Sequence, residues 1–574
     1  MKKLTKDKKY IYRVYDFSGG LNTSKLAMSL KPNEISNLQN YNYDNRDVIT
    51  KRKGFDRVND TSLGSSAILG LHSYYKSNGD KYLLSYHDQS IYQWDSNLAN
   101  QTTVKSGLTA DGEPQFCTYD DTCYIVNNQD AMMQYNGTAL TNVSGSPPVT
   151  KYVIGISKRL FLANSDTYPY RLRFCGLDDY TDWDEDYYID LPSKGIITGL
   201  ALLLDSLIIY EEDRIWVLYN VAGDPADWSL KEVSTDVGCV SQNSIDIVRN
   251  ELFFRSRKGV HTFTGVTTEG TYQFDNLKAM SLSDPIKPTA SYVNSSKLDE
   301  CAGVNYDDKY WCALAKSGDG YNSRILVFDY VIGRWTIYEG IYANCFTVFK
   351  KSTGDVLIFG DSRYGYVYKF GSVAYDGATD SGTAESATDT TITDTDQAWD
   401  TNEFQGCVVY INGGTGSGQS RVITSNNATA LTVATWTTNP DSTSTYLIGG
   451  IECIYESPYF SFDMPERTKK VNRVIWNLKS KSTAGTYNLT AYVDKDQEGY
   501  AYSDDIAITQ NNADWGTNWG SESYWAVKDL KRELITIPTT GQGYYWRFKL
   551  YEFNANEQVV LYGYSIEIDP AEVV

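Results

Sequence analysis

Residues 81–94 read Lys81-Tyr82-Leu83-Leu84-Ser85-Tyr86, then His87-Asp88-Gln89-Ser90, then Ile91-Tyr92-Gln93-Trp94. This is an apolar strand, a polar turn and a second strand that closes on an aromatic residue. The phrase returns as Thr122-Cys123-Tyr124-Ile125-Val126 ending at Tyr135-Asn136-Gly137, as Arg159-Leu160-Phe161-Leu162-Ala163, and as Ser206-Leu207-Ile208-Ile209-Tyr210 with Arg214-Ile215-Trp216-Val217. Three more copies are Glu251-Leu252-Phe253-Phe254 with Gly259 to Phe263, Lys309 to Leu314 with Ile325 to Phe328, and Asp355 to Phe359 with Gly365 to Tyr368. Hairpins repeated every ~40 to 50 residues predict an all-β chain built on a β-propeller of about six to eight blades, each burying its faces against its neighbours. An irregular pair of β-sandwiches is the alternative with the same strand content.

Composition points the same way. The 574 residues include 47 Tyr, 13 Trp and 44 Gly but only 6 Met and 14 Pro, a profile of strands and tight turns. No run approaches the roughly 20 apolar residues of a membrane helix. A net charge of -20 argues against tight, non-specific phosphate binding, which needs clustered Lys and Arg. The basic start, Met1 to Lys9, passes into Tyr10-Ile11-Tyr12-Arg13 without a signal-length apolar stretch, so no secretion signal is expected. Nine scattered cysteines, an odd number with no C-x-x-C pair, predict reduced, buried thiols.

Outside the repeat, residues 1–66 read as an N-terminal arm with one short helix, because Pro32 precedes Ile35 and Leu38 at helical spacing. The propeller is expected over 67–375. Residues 376–450 turn rich in Thr, Ser, Gly, Asp and Asn around alternating strands, which predicts an inserted small β-domain with a core of Trp399, Phe404, Val409, Ile423 and Trp436. The strands of 451–574 predict a C-terminal β-sandwich-like region that completes a platform for the propeller.

No pattern in the chain carries catalysis. Gly413 to Ser420 has phosphate-loop glycines, but Gln419 stands where lysine is needed and a strand follows, so a glycine hairpin is expected. The acids Asp178, Asp179, Asp182, Asp184, Glu185 and Asp186 could serve a cation or a glycosidase pair, yet they lack an EF-hand glycine and read as a solvated loop beside Trp183 and Tyr187. His72, His87 and His261 are isolated in or beside strands. The single Ser234-Thr235-Asp236-Val237-Gly238 and the single Trp94-Asp95 do not repeat as sialidase or WD motifs would. No enzyme activity, cofactor or metal is expected.

The opening Asp16-Phe17-Ser18-Gly19-Gly20-Leu21-Asn22, with Leu30, Asn33-Glu34, Leu38, Asn40, Asp44 and Lys51-Arg52-Lys53-Gly54-Phe55, resembles the start of β-propeller tail proteins of short-tailed phages, the tail tubular protein B, nozzle or stabilisation family. Arg173-Phe174-Cys175-Gly176-Leu177 leading to Trp183, Gly223 to Trp228 leading to Gly238-Cys239-Val240-Ser241, and Asn250 to Phe254 with Lys258-Gly259-Val260 are similar to that family's blade-closing phrases. The inserted segment resembles a small β-module of diverse phage virion proteins. The resemblance implies a structural virion protein of the tail, made in the bacterial host cytoplasm. It implies a homo-oligomeric ring, a hexamer by family analogy, forming a nozzle for DNA ejection. Its partners would be a tail adaptor or portal-side ring, tail fibres or plug proteins, and viral DNA in transit. A head–tail joining protein and a host-glycan-binding or glycan-cleaving propeller are the other readings. Carboxylates would keep DNA from pausing on the channel wall, and Asp120, Asp121, Asp307 and Asp308, expected in the first turns after the blades, are the candidate lumen acids.

Overall fold

The computed structural model describes residues 10–44, 48–268, 271–480, 485–510, 531–536, 541–555 and 559–570. The basic start Met1 to Lys9 lies outside them. The chain divides into two units. One holds residues 57–331 and 341–370; the other holds residues up to 56, 332–340 and 371 onward.

The first unit is a seven-bladed β-propeller. Blades 1 to 5 are four-stranded antiparallel sheets whose strands follow one another in the chain, beginning with Ile68–Tyr75, Gln115–Tyr119, Tyr152–Ile156, Gly199–Leu203 and Asp246–Val248. Blade 6 contributes Ala302–Tyr306, Lys309–Leu314 and Arg324–Asp329, and blade 7 contributes Ala343–Lys351, Gly354–Asp361 and Val367–Phe370. The first strand of each blade lines the axis. The ring closes where blade 7 meets blade 1: Asn344 Nδ2 donates to Ile68 O at 2.9 Å and Ser73 Oγ lies 2.8 Å from Thr347 Oγ1. The earliest residues of the unit also finish the last blade, since Val58 N donates to Val367 O at 2.8 Å.

Each sheet is buried on both faces, which explains the unbroken apolar runs of the second strands. In Ser206–Tyr210, Leu207 and Ile209 pack with Phe161 and Phe174 of blade 3, whereas Ile208 and Tyr210 pack with Leu252 and Phe254 of blade 5. Arg159–Ala163 does the same one blade earlier, with Leu160 and Leu162 against Tyr124 and Val126 of blade 2 and Phe161 and Ala163 turned to blade 4. Blades 5 and 6 meet through Phe253 and Tyr310, ring centroids 5.4 Å apart, and blades 6 and 7 through Trp311 and Phe370 at 4.9 Å.

The second unit contains a β-sandwich woven from both chain ends. Tyr10–Val14 pairs with Val559–Pro570, which pairs with Lys469–Ser480 and Ile49–Lys51. The facing sheet runs Asn37–Gln39, Ile451–Glu456, Trp546–Asn554, Gly485–Lys495. Tyr455 and Phe548 of this sheet meet Tyr564 of the other, and the Tyr455 and Tyr564 hydroxyls lie 3.1 Å apart.

Within the same unit, residues 380–448 form a seven-stranded sheet system. Trp399, Phe404, Val409, Ile423 and Trp436 all lie in its buried core. It leaves and re-enters at one place, for Asp376 N donates to Gly449 O at 2.9 Å. Asp376 also accepts from Arg52 Nη1 and Nη2 at 2.8 and 2.5 Å, and the guanidinium is wholly buried.

Two expectations need correction. The helix after Pro32 is absent: Glu34–Ile35 and Asn37–Gln39 are strands, because Gly19 N and Asn22 N bond the carbonyls of Asn33 and Ile35, which a helix would occupy. Residues 1–66 are not a separate arm either. Those described up to 56 belong to the second unit, and the propeller unit takes residues 57–331 and 341–370 in place of 67–375.

Candidate functional site

The four sequence-selected acids occupy the same kind of turn. Asp120 and Asp121 link the first two strands of blade 2, and Asp307 and Asp308 those of blade 6, all four with φ between 48° and 58°. A two-residue hairpin with both φ positive is the type I′ turn that matches strand twist, and Asp tolerates that region better than most residues. Turn geometry therefore accounts for each Asp-Asp pair before any function does. All four side chains are exposed at the end of the propeller where the innermost strands finish. They do not form one cluster: blades 7 and 1 separate the pairs on one side and blades 3 to 5 on the other. Asp121 is also tied down, accepting from Ser77 N at 2.8 Å and from the Ser77 hydroxyl, and these bonds hold its carboxyl below the usual range.

At the opposite end, where the innermost strands begin, the propeller axis opens into a pocket of about 270 Å³. Its walls come from loops that enter blades 1, 2, 3, 5, 6 and 7. Glu113 and Lys151 face each other across blades 2 and 3, with Lys151 Nζ 2.9 Å from both Glu113 oxygens. Asp299, exposed, and Glu300 approach from blade 6. Glu300 is held by Lys297 at 2.5 Å. Burial, then the Glu113 carboxylate and, more weakly, that of Asp299, push the Tyr152 hydroxyl up, so both acids act on one point of the wall. Tyr321 stands at the rim, 39% exposed.

The floor of this pocket is a hydrogen bond across the axis, from Gln115 Nε2 of blade 2 to Asn243 Oδ1 before blade 5 at 2.5 Å. Beneath it lies a smaller cavity of about 90 Å³ that includes His72, Phe116 and Phe346. His72 stacks on Phe116 at 5.5 Å and its Nε2 lies 2.7 Å from Thr118 Oγ1. Burial lowers its pKa to about 4, so the ring is neutral at pH 7. Nothing in the sequence marks this site, because its residues lie in segments spread from Ala67 to Ser362 with no shared spacing.

The other motifs fall into structural roles. Gly413 to Ser420 turns between Val408–Gly413 and Ser420–Asn426, with Gly414, Gly416 and Gly418 at positive φ. In the loop 178–186 the acids are all exposed; Asp178 pairs with Lys158 at 2.9 Å, Asp179 accepts from Thr181 N at 3.0 Å and Asp184 from Asp186 N at 2.9 Å, while Trp183 is only 7% exposed and donates to Tyr180 O at 3.0 Å. Arg173 holds the loop through the backbone oxygens of Asp184 and Glu185, both at 2.7 Å. Eight of the nine cysteines are buried, and all nine are free thiols. Among the described residues, no three of His, Cys, Asp and Glu gather as metal ligands, and no helix is long and apolar enough to cross a membrane.

No family model matches the chain, and no curated protein matches it. Among solved structures, YCF48 from Cyanidioschyzon merolae aligns at 10% identity over 55% of this chain and 98% of its own, with a TM-score of 0.34. A likeness that loose carries no argument, and the propeller is read from the seven blades themselves.

Proposed function

We propose that the chain is a structural protein of a short-tailed phage virion, one subunit of a tail nozzle ring through which DNA leaves. The observation that carries this reading is the use made of the residues on which the family resemblance rests. Phe17 is buried against Tyr455 at 5.5 Å, and a side chain on Gly19 or Gly20 would strike Asn33 or Arg334. Asn22 Nδ2 donates to Glu34 Oε1 at 2.8 Å, and Arg52 closes on Asp376. These residues knot the N-terminal segment into the sandwich, which suits a family whose shared motif maintains an assembly part.

DNA would not thread the propeller, because the Gln115–Asn243 bond crosses its axis. The channel would lie between copies in a homo-oligomeric ring, with a tail adaptor and fibres or plug proteins as neighbours. Asp120, Asp121, Asp307 and Asp308 line that channel if the turn end of the propeller faces inward, and their charge then repels the passing phosphates. The glycan-binding alternative gains nothing from the acidic loop, whose Trp183 offers no face to a sugar.

Labelling this chain with gold on purified virions tests the reading. Gold at the tail tip is the expected result; gold at the head–tail joint would favour the joining protein, and unlabelled virions would overturn both.

A further inference from the structure

The axial pocket has a chemistry of its own, and it is independent of whether the chain forms a ring. Its walls are fixed by loops from six blades of a closed propeller, so it exists before any ligand arrives. Its lining is mixed, with Leu69, Pro114 and Tyr152 beside the polar groups, so the charged side chains rather than polarity alone select the occupant. Three carboxylates, Glu113, Asp299 and Glu300, oppose one ammonium, that of Lys151. Lys151 is spent on Glu113 and Lys297 on Glu300, which leaves Asp299 with no ion pair among the described residues. An anion entering this space meets net negative charge, whereas a cation is drawn in. The exposed Tyr321 ring at the rim adds an aromatic face of the kind cations favour. The floor is amide, from Gln115 and Asn243, and Asn243 stays exposed to the space above it.

We propose that this pocket binds a single cationic nitrogen group, an alkylammonium or guanidinium, with Asp299 as its main counter-charge, Glu113 as the second and Tyr321 as its aromatic wall. A volume of about 270 Å³ admits the head and a few methylenes of such a group but not a folded domain. The same chemistry is offered by a free polyamine and by a lysine or arginine side chain of a partner protein. Lys151 acts against the ligand, because it neutralises Glu113 from within.

The test is equilibrium binding to the purified full-length protein by calorimetry at low salt, with two probes: spermidine, and a neutral-flanked peptide carrying one arginine. Saturable one-to-one binding of either probe is expected, stronger for spermidine if the source is a free polyamine and stronger for the peptide if it is a side chain. Asp299→Asn should weaken binding about tenfold, one carboxylate at close range in a partly screened site. Lys151→Met should tighten it severalfold, a gain that a damaged fold would not produce. Asp307→Asn, at the other end of the propeller, should leave it unchanged. No saturable binding of either probe, equal binding in Asp299→Asn, or weaker binding in Lys151→Met would overturn the proposal.

Discussion

The propeller and the sandwich are both antiparallel β structures, yet they are assembled on opposite principles. In blades 1 to 5 every strand pairs with its neighbour in the chain, and a hairpin such as Tyr119 to Thr122 needs only two turn residues. In the sandwich, Tyr10 pairs with Ile568 and Asn37 with Glu456, so each of these ladders closes a loop of hundreds of residues. Local pairing costs little loop entropy and can begin anywhere; distant pairing has to be secured by specific contacts. The sandwich unit has such contacts in the buried Arg52–Asp376 pair, whereas the propeller relies on repeated apolar interfaces.

The largest effect should come from breaking that pair. Burial pushes the Asp376 carboxyl up, but Arg52 stays charged and holds it at 2.5 Å, so Arg52→Met strands a buried carboxylate. The expected loss is about 4 kcal/mol, read as faster amide exchange in Tyr41–Tyr43 and Ile49–Lys51 while blade amides keep their protection. Arg52→Met with Asp376→Leu should recover most of it. Equal loss of protection in the blades would erase the contrast between the units.

In the propeller, Leu207→Ala removes a fully buried side chain from the interface of blades 3 and 4. A loss of about 3 kcal/mol is expected in chemical denaturation. Protection should fall in both of those blades together and stay unchanged in the sandwich.

These two regions also mark what a reader of the sequence could see. Blades were legible because burial on both faces forces continuous apolar strands, as in Leu207 to Tyr210, and because their partners sit next door. The inserted module was legible for the same reason, its core residues Val409, Ile423 and Trp436 being close in sequence. The sandwich was only half legible: the late strands were visible, but nothing in Tyr10 to Val14 names Val559–Pro570 as its partner. The helix expected after Pro32 failed there too, since Ile35 and Leu38 carry helical spacing while Ile35 O accepts from Asn22 N and Leu38 pairs with Tyr455. The axial pocket was invisible, and the Asp-Asp turns were visible for a reason of backbone geometry that the charge alone had obscured.

A smaller effect should follow pH. Asp246 of blade 5 is half-buried, and its pKa is raised to about 6 by desolvation despite accepting from Asn305 N and Ile247 N at 2.7 Å. A carboxyl raised in the folded state favours folding most below its unfolded pKa, and that advantage is lost as pH rises through 6. Between pH 4 and 7 the wild type should lose on the order of 2 kcal/mol relative to Asp246→Asn, measured by urea titration. Parallel curves for the two proteins would show that Asp246 is not the titrating group.

The least effect is expected from excising the inserted module. Joining Asp376 to Gly450 through a short Gly-Ser turn removes the stacking of Tyr410 on Phe553 at 4.7 Å, worth about 1 kcal/mol, and leaves the Arg52 pair intact. Soluble protein with unchanged blade protection is the expected outcome; insoluble protein would make the module part of the sandwich's core.

In the proposed nozzle DNA passes between subunits and not along a propeller axis. An electron cryomicroscopy reconstruction of the purified protein or of isolated tails should show a closed ring of copies with its opening between subunits and each propeller axis blocked by Gln115 and Asn243. A population of isolated monomers in both preparations, or a ring whose inner wall is dominated by Lys and Arg, would contradict it.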